Sequence, residues 1–282
     1  MNVIVAKTAG FCFGVKRAVD IVSERANETG RPIYTYGPII HNETVVSDFE
    51  SKGVRVIEEN SDLSGLAPGV VIIRSHGVSK KVMDDLSTHG FEIVDATCPF
   101  VLKIHKIVQE YDNKGYHIVI VGNANHPEVE GIIGWIPSQK YDCITSAEEF
   151  FDLHIDPKTP VCIVSQTTFN YDKFQELVEI IKQKGYDICA KNTICSATEE
   201  RQKEAVEIAG QVEAMIVIGG TNSSNSKKLF EIASANCKNT YFIQTVDDLD
   251  LSVLQSIDDV GITAGASTPN KIIEEVQKKC QK

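Results

Sequence analysis

No apolar run in this chain approaches the roughly 20 residues needed to span a bilayer; stretches such as Ala214 to Ile218 are far shorter. Positive charge is also in short supply. Lys and Arg number 28 against 39 Asp and Glu, leaving a formal net charge of −11. No basic stripe or aromatic–basic interleaving offsets that balance, so neither nucleic acid nor a membrane is expected as a partner. Local donors still allow a small anionic ligand, although diffuse electrostatic steering contributes little to its capture. The opening Met1-Asn2-Val3-Ile4-Val5-Ala6 is strand-like. It has neither the basic start and apolar core of a signal peptide nor the Arg- and Ser-rich character of a transit peptide, so a cytoplasmic address is expected.

Two further absences concern cysteine. There are eight cysteines but no export signal, which argues against a disulfide framework. There is no Cys-x-x-Cys pair either, so the compact zinc-ribbon, ferredoxin and thioredoxin patterns fail. Any metal site must be assembled from distant parts of the chain.

What is present is an ordinary globular composition, 42% hydrophobic and 24% charged. At 282 residues the chain exceeds the usual single core, and two or three domains are expected. A repeated unit runs along it without a long Pro/Gly/Ser linker: a short β-branched run, a polar loop, then an amphipathic helix. This pattern predicts parallel sheets covered by helices.

Three of these units carry a cysteine in the loop. Val3 to Ala6 leads to Cys12, Phe91 to Val94 leads to Cys98, and Tyr186 to Cys189 leads to Cys195. Each is followed by two strand–loop units. The first pair is Pro38-Ile39-Ile40-His41-Asn42 and Val70 to Gly77. The second is Ile118 to Gly122 with His126, and Val161 to Thr168; the third is Ile216 to Ser226, and Val260 to Pro269. The expected fold class is therefore α/β, with three small modules and mostly parallel sheets. Their boundaries fall at residues 14–97, 98–194, and 1–13 plus 195–282. Loops at the carboxyl ends of parallel strands gather ligands, and three modules about a common axis would bring three cysteines and six loops to one cavity.

Cys12, Cys98 and Cys195 each precede a helix, where backbone N–H groups and the helix dipole favour a thiolate. Their threefold recurrence points to a shared metal site. Three thiolates suit zinc or a cubane whose fourth iron has no protein ligand, and spacing alone leaves both open. Cys143, Cys162 and Cys189 lie in apolar strand-like runs and read as core, whereas Cys237 and Cys280 read as a polar loop and a tail without a role.

His41, His76 and His126 close three of the strand–loop units, in positions to donate to phosphate or to move protons. Ser223, Ser224, Asn225 and Ser267 precede helices. They read both as N-caps and as an anion cradle, although the Gly-Lys-[Ser/Thr] ending of a Walker loop is missing. Glu128 follows His126-Pro127 and fits either the first turn of a helix or a general acid in a closed cavity. Thr167 fits a helix cap or a proton relay.

These segments resemble the 4-hydroxy-3-methylbut-2-enyl diphosphate reductase family, also called IspH or LytB. The likeness rests on Gly10-Phe11-Cys12-Phe13-Gly14-Val15, His41-Asn42, His76-Gly77-Val78, Asp95-Ala96-Thr97-Cys98-Pro99 and His126-Pro127-Glu128-Val129-Glu130-Gly131. It continues in Gln166-Thr167-Thr168, Cys195-Ser196-Ala197-Thr198 with Arg201-Gln202, Asn222 to Ser226, and Ala264-Gly265-Ala266-Ser267. The resemblance implies a pseudo-threefold arrangement of the modules around a central [4Fe–4S] cluster. Cys12, Cys98 and Cys195 would bind three irons, and the substrate hydroxyl the fourth. Glu128 would donate the proton with help from Thr167, and His41, His76, His126, Ser223, Ser224, Asn225 and Ser267 would hold the diphosphate. The implied reaction is the last step of the methylerythritol phosphate route, fed by an electron donor such as ferredoxin or flavodoxin. The rival enzyme is a cluster-dependent dehydratase of a small anionic substrate that passes no net electrons; a three-cysteine redox sensor ranks below both, having no need of six donor-rich loops.

Overall fold

The computed structural model describes residues 1–27 and 30–281. Strands and helices alternate from the start: β1 (Asn2–Val5), α1 (Phe13–Ala26), β2 (Ile33–Tyr36), α2 (Glu43–Ser51), β3 (Arg55–Ile57), β4 (Val70–Ile73), α3 (Lys80–Thr88) and β5 (Glu92–Asp95). The middle of the chain holds α4 (Pro99–Asn113), β6 (His117–Val121), α5 (Pro127–Ile133), β7 (Tyr141–Ile144), α6 (Ala147–Asp152), β8 (Val161–Ser165), α7 (Tyr171–Gln183) and β9 (Ile188–Ala190). Last come α8 (Ser196–Ala209), β10 (Ala214–Ile218), α9 (Ser224–Asn236), β11 (Asn239–Ile243), β12 (Asp259–Ala264) and α10 (Asn270–Cys280).

The strands form three four-stranded sheets of one plan, ordered β3-β2-β4-β5, β7-β6-β8-β9 and β11-β10-β12-β1. Every strand pairing among the described residues is parallel. The three parallel α/β modules expected from the repeat are thus present. In each sheet the two inner strands are buried almost throughout and the outer two only partly. Burial on both faces explains why the inner strands read as unbroken apolar runs.

By contacts the chain forms two compact units. One comprises Met1–Lys16, His41–Val45 and Cys195–Lys282, and the other Arg17–Ile40 and Val46–Ile194. The first holds the β11-β10-β12-β1 sheet. Ile216, Ile218, Ile262, Ile272 and Val276 form the core on one of its faces, and Met215, Val217, Ala205 and Leu229 that on the other. The second unit holds the other two sheets. In β6 the side chains alternate as strand geometry requires: Val119 and Val121 meet Phe150 and Phe174, while Ile118 and Ile120 meet Ile104 and Val108 of α4.

Two sequence expectations need correction. Pro38 to Asn42 is not strand; the strand is β2, ending at Tyr36, after which Gly37 at φ 67° turns the chain. Ile39 and Ile40 gave the impression of a strand because they are buried in the loop that follows. Cys237 and Cys280 are not idle loop and tail residues. Both are buried, Cys237 beside Leu229 and Ala233 and Cys280 beside Ile273 and Val276. Cys162 is fully buried as expected, while Cys143 and Cys189 are half-buried in strands β7 and β9. No helix among the described residues is long and apolar enough to cross a membrane.

Candidate functional site

Cys12, Cys98, Cys195, the three loop histidines, Glu128, Thr167, the Ser223–Asn225 run and Ser267 all lie beyond the carboxyl end of a parallel strand, where helices also begin. Backbone N–H groups and positive helix ends collect there, which suits thiolates and phosphates alike.

In the first unit, Cys12 lies directly before α1 and Cys195 is the N-cap of α8. The Cys12 N–H donates to the Ala266 carbonyl at 3.2 Å. Gly10 takes φ +101°, and a Cβ there would lie 2.5 Å from Asn270 Oδ1, so this turn requires glycine. Arg201, on α8, holds the same turn: Nε donates to the Thr8 carbonyl at 2.9 Å and Nη2 to the Gly10 carbonyl at 2.8 Å. One helical turn on, Glu204 accepts from the Lys7 N–H at 2.8 Å, the Thr8 N–H at 2.9 Å and the Thr8 hydroxyl at 2.6 Å. The segment before Cys12 is therefore fastened to the helix that Cys195 starts. Burial pushes the Arg201 guanidinium down, and the nearby sulfurs of Cys12 and Cys195 push it back up, with Glu204 and Glu200 adding to their effect.

The same unit gathers the oxygen and amide donors. Ser223 caps α9, and its Oγ accepts from the Ser226 N–H at 3.3 Å and the Ser226 hydroxyl at 3.0 Å. With both acceptor positions occupied, the Ser223 proton is directed outward as a donor. Asn225 is buried, yet neither its Oδ1 nor its Nδ2 meets a hydrogen-bond partner among the described residues. A buried amide left so is costly unless a ligand completes it. Ser224 opens α9 and is half-buried. The Ser267 hydroxyl donates to the His41 carbonyl at 3.1 Å, and a Cβ on Gly220 would lie 2.8 Å from that carbonyl oxygen. The unit thus brings His41, the Ser223–Asn225 turn and Ser267 together.

The second unit carries Cys98, His76, His126, Glu128 and Thr167. Cys98 is the N-cap of α4, with Pro99 in the first turn and its N–H on the Ser75 carbonyl at 3.0 Å. Arg17 donates to the carbonyls of Thr97 and Asp95, each at 3.2 Å, bracing this second cysteine turn. His126 caps α5: its Nδ1 accepts from the Glu128 N–H at 3.1 Å, which places the proton of the neutral ring on Nε2. Its ring meets His76 edge-on, with centroids 5.6 Å apart.

Glu128 is 2% exposed. Thr167 holds both its oxygens, the N–H donating to Oε1 and the hydroxyl to Oε2, each at 2.6 Å. Burial raises this carboxyl to about 7, against the downward pull of the two Thr167 bonds. It is poised to give up a proton near neutral pH.

Three residues of these arrangements carry no role in the sequence reading, although Arg201 and Ser226 lie in the motifs quoted for the resemblance. Glu204 shows in the sequence only as the second of a polar pair with Arg201 on one face of α8, three residues apart. Ser226 was visible as a small residue after the Ser-Ser-Asn run, and it is fully buried between Gly219 and Gly265, where a Cβ would lie 2.1 and 2.0 Å from its Oγ.

The family described as LytB protein matches residues 3–281. The 4-hydroxy-3-methylbut-2-enyl diphosphate reductase of Caldanaerobacter subterraneus subsp. tengcongensis is 48% identical over 280 residues, which span 99% of this chain and 96% of that protein. Among solved structures, the E-1-hydroxy-2-methyl-but-2-enyl-4-diphosphate reductase from Plasmodium falciparum is similar at a TM-score of 0.92 and 29% identity, covering 100% of this chain and 88% of that one. A second, (E)-4-hydroxy-3-methyl-but-2-enyl diphosphate reductase, the terminal enzyme of the non-mevalonate pathway, is similar at a TM-score of 0.71 and 39% identity, covering 100% and 99%. With its parallel three-sheet plan and a likeness running from end to end, this chain belongs to the LytB family.

Proposed function

We propose that this protein converts 4-hydroxy-3-methylbut-2-enyl diphosphate to isopentenyl and dimethylallyl diphosphate. Two electrons and two protons enter, the allylic C–O bond breaks, a C–H bond forms, and the hydroxyl leaves as water. An electron carrier of the ferredoxin or flavodoxin type supplies the electrons, in the cytoplasm. The observation that carries this reading is Glu128, a buried carboxyl raised to about 7 and held by Thr167 at both oxygens. The reductase relatives support the choice of substrate.

Cys12, Cys98 and Cys195 would hold a [4Fe–4S] cluster through three of its irons. The donor set fits. All three thiols are free of disulfides and half-exposed, each stands at the start of a helix, and a buried guanidinium lies beside two of them. Soft thiolates favour iron–sulfur chemistry. When bound, the cluster supplies electrons and a Lewis-acidic iron that has no protein ligand.

The protein's own groups account for binding and proton delivery. The outward Ser223 hydroxyl, Ser224, the Asn225 amide and the N-terminus of α9 receive the diphosphate, with His41, Ser267, His76 and His126 as further donors. Many donors are needed because a buried diphosphate must exchange its water shell for protein N–H and O–H groups. Glu128 protonates the departing hydroxyl. When Glu128 carries its proton, Thr167 Oγ1 accepts from Oε2 and passes its own hydroxyl proton onward, so that Thr167 serves as a relay.

The test is anaerobic purification with iron, sulfide and zinc quantified, followed by turnover with and without a reductant. Reductant-dependent formation of the two C5 diphosphates is expected. Turnover that proceeds equally well without an electron donor would replace this reading by a dehydratase.

A further inference from the structure

Arg201 is an uncommon kind of buried charge. It is 3% exposed, and its Nε and Nη2 donate to backbone carbonyls of Thr8 and Gly10, not to a carboxylate. Its Nη1 is buried without a hydrogen-bond partner among the described residues. A desolvated guanidinium normally sits against an anion. The groups that act on it electrostatically are the sulfurs of Cys12 and Cys195 and the α8 carboxylates of Glu204 and Glu200. The carbonyls it binds belong to the turn that presents Cys12, while its own helix is the one that Cys195 caps. A similar device occurs in the second unit, where Arg17 binds the Asp95 and Thr97 carbonyls immediately before Cys98.

We infer that Arg201 is a positioning residue for the iron–sulfur cluster: its fork fixes the Cys12 turn against the Cys195 helix and sets a buried positive charge on that turn. This rests on the cluster assigned under the proposed function. Two consequences follow, one geometric and one electrostatic. Loss of the fork frees the turn before Cys12 and lowers cluster retention. Loss of the charge removes stabilisation from the more negative, reduced cluster, which makes the midpoint potential more negative.

Arg201→Gln and Arg201→Lys separate the two. Each variant and the parent are purified anaerobically as full chains, and the fold of the cluster-free forms is compared by far-ultraviolet circular dichroism. Iron and sulfide per chain and the midpoint potential are then measured. Arg201→Gln is expected to fold, to lose iron and sulfide relative to the parent, and to show a more negative potential in the fraction that keeps the cluster. Arg201→Lys retains the charge without the planar fork, so cluster content falls while the potential stays near the parental value. Parental content and potential in Arg201→Gln would overturn the inference and leave the reductase reading standing. Should Arg201→Gln fail to fold, Arg201→Lys decides: reduced cluster content supports the inference, and parental content overturns it. A parent that takes up no iron and sulfide removes the reductase reading, and this inference with it.

Discussion

Thr167 holds Glu128 by both carboxylate oxygens, its N–H on Oε1 and its hydroxyl on Oε2, each at 2.6 Å. One residue therefore fixes the orientation of the buried acid and opposes the effect of its burial. Burial wins, and the carboxyl stands at about 7.

Glu128→Gln keeps this geometry, since Gln can accept from the Thr167 N–H and donate to its hydroxyl. With the proton source removed, turnover is expected to fall about 10²- to 10⁴-fold, while iron and sulfide content stay parental. Preserved turnover would remove Glu128 from the mechanism.

The same substitution has a predictable effect on stability. A folded-state value raised above the ordinary one means that the native protein prefers the protonated form. The carboxyl thus costs nothing below about pH 4.5 and progressively destabilises the fold as pH rises through about 7. The penalty reaches roughly 3 kcal/mol on the alkaline side. Glu128→Gln should therefore melt at a higher temperature than the parent at pH 8, and the gap should narrow steadily as pH falls to 5. A pH-independent difference in melting temperature would contradict the raised value.

Thr167→Val removes the hydroxyl bond but leaves the N–H. Since that bond pulls the Glu128 carboxyl downward, its loss moves the alkaline limb of the pH–rate profile to higher pH. Turnover falls as well, because the relay is broken. A limb displaced toward lower pH would show that the Thr167 hydroxyl favours the protonated carboxyl over the carboxylate.

Most inner strands are legible in the sequence, because strands covered on both faces are written in continuous β-branched residues, as in Val70-Val71-Ile72-Ile73; the exception is β2, whose Tyr34-Thr35-Tyr36 run is less apolar than the Ile39-Ile40 pair in the loop after it. Among the outer strands, those leading to the three cysteines are legible, whereas Arg55–Ile57 and Asn239–Ile243 are not, being half-exposed and short of continuous apolar residues. Cys280 belongs to a helical stripe and not to a loose tail: Ile273, Val276 and Cys280 fall three and four apart on the buried face of α10. The cysteines, His126, Glu128 and the Ser223 turn stood out through recurrence and motif. Arg201 lies in a quoted motif but with no role attached, because its role lies in carbonyls some 190 residues away in sequence, with separations of 193 and 191. No local pattern records which backbone oxygens a guanidinium will meet.

Ser226 makes a sharper case of the same kind. Its N–H and hydroxyl fill the acceptor positions of Ser223 Oγ, so that the Ser223 proton points outward. Ser226→Ala frees one of those positions and lets Ser223 turn its proton inward. Losing one well-aimed donor costs about 1 kcal/mol, or roughly fivefold in KM for the diphosphate, with kcat little changed. An unaltered KM would show that Ser226 serves packing between Gly219 and Gly265 alone.

His105 lies outside the chemistry yet sets an acid limit on the fold. It is buried and stacked on Trp135 with centroids 5.3 Å apart, and neither ring nitrogen meets a hydrogen-bond partner among the described residues. Burial drives it down to about 4, with Asp95 pulling weakly the other way. A base lowered in the folded state favours the native form fully above its ordinary value of 6.5, and that advantage is lost as pH falls through about 4. His105→Leu removes both the titration and the unsatisfied nitrogens, giving up the stacking. Its melting temperature relative to the parent should therefore rise as pH is lowered from 7 to 5. A relative melting temperature that falls over this range would mean that the ring is charged in the folded protein, with the Asp95 carboxylate outweighing burial.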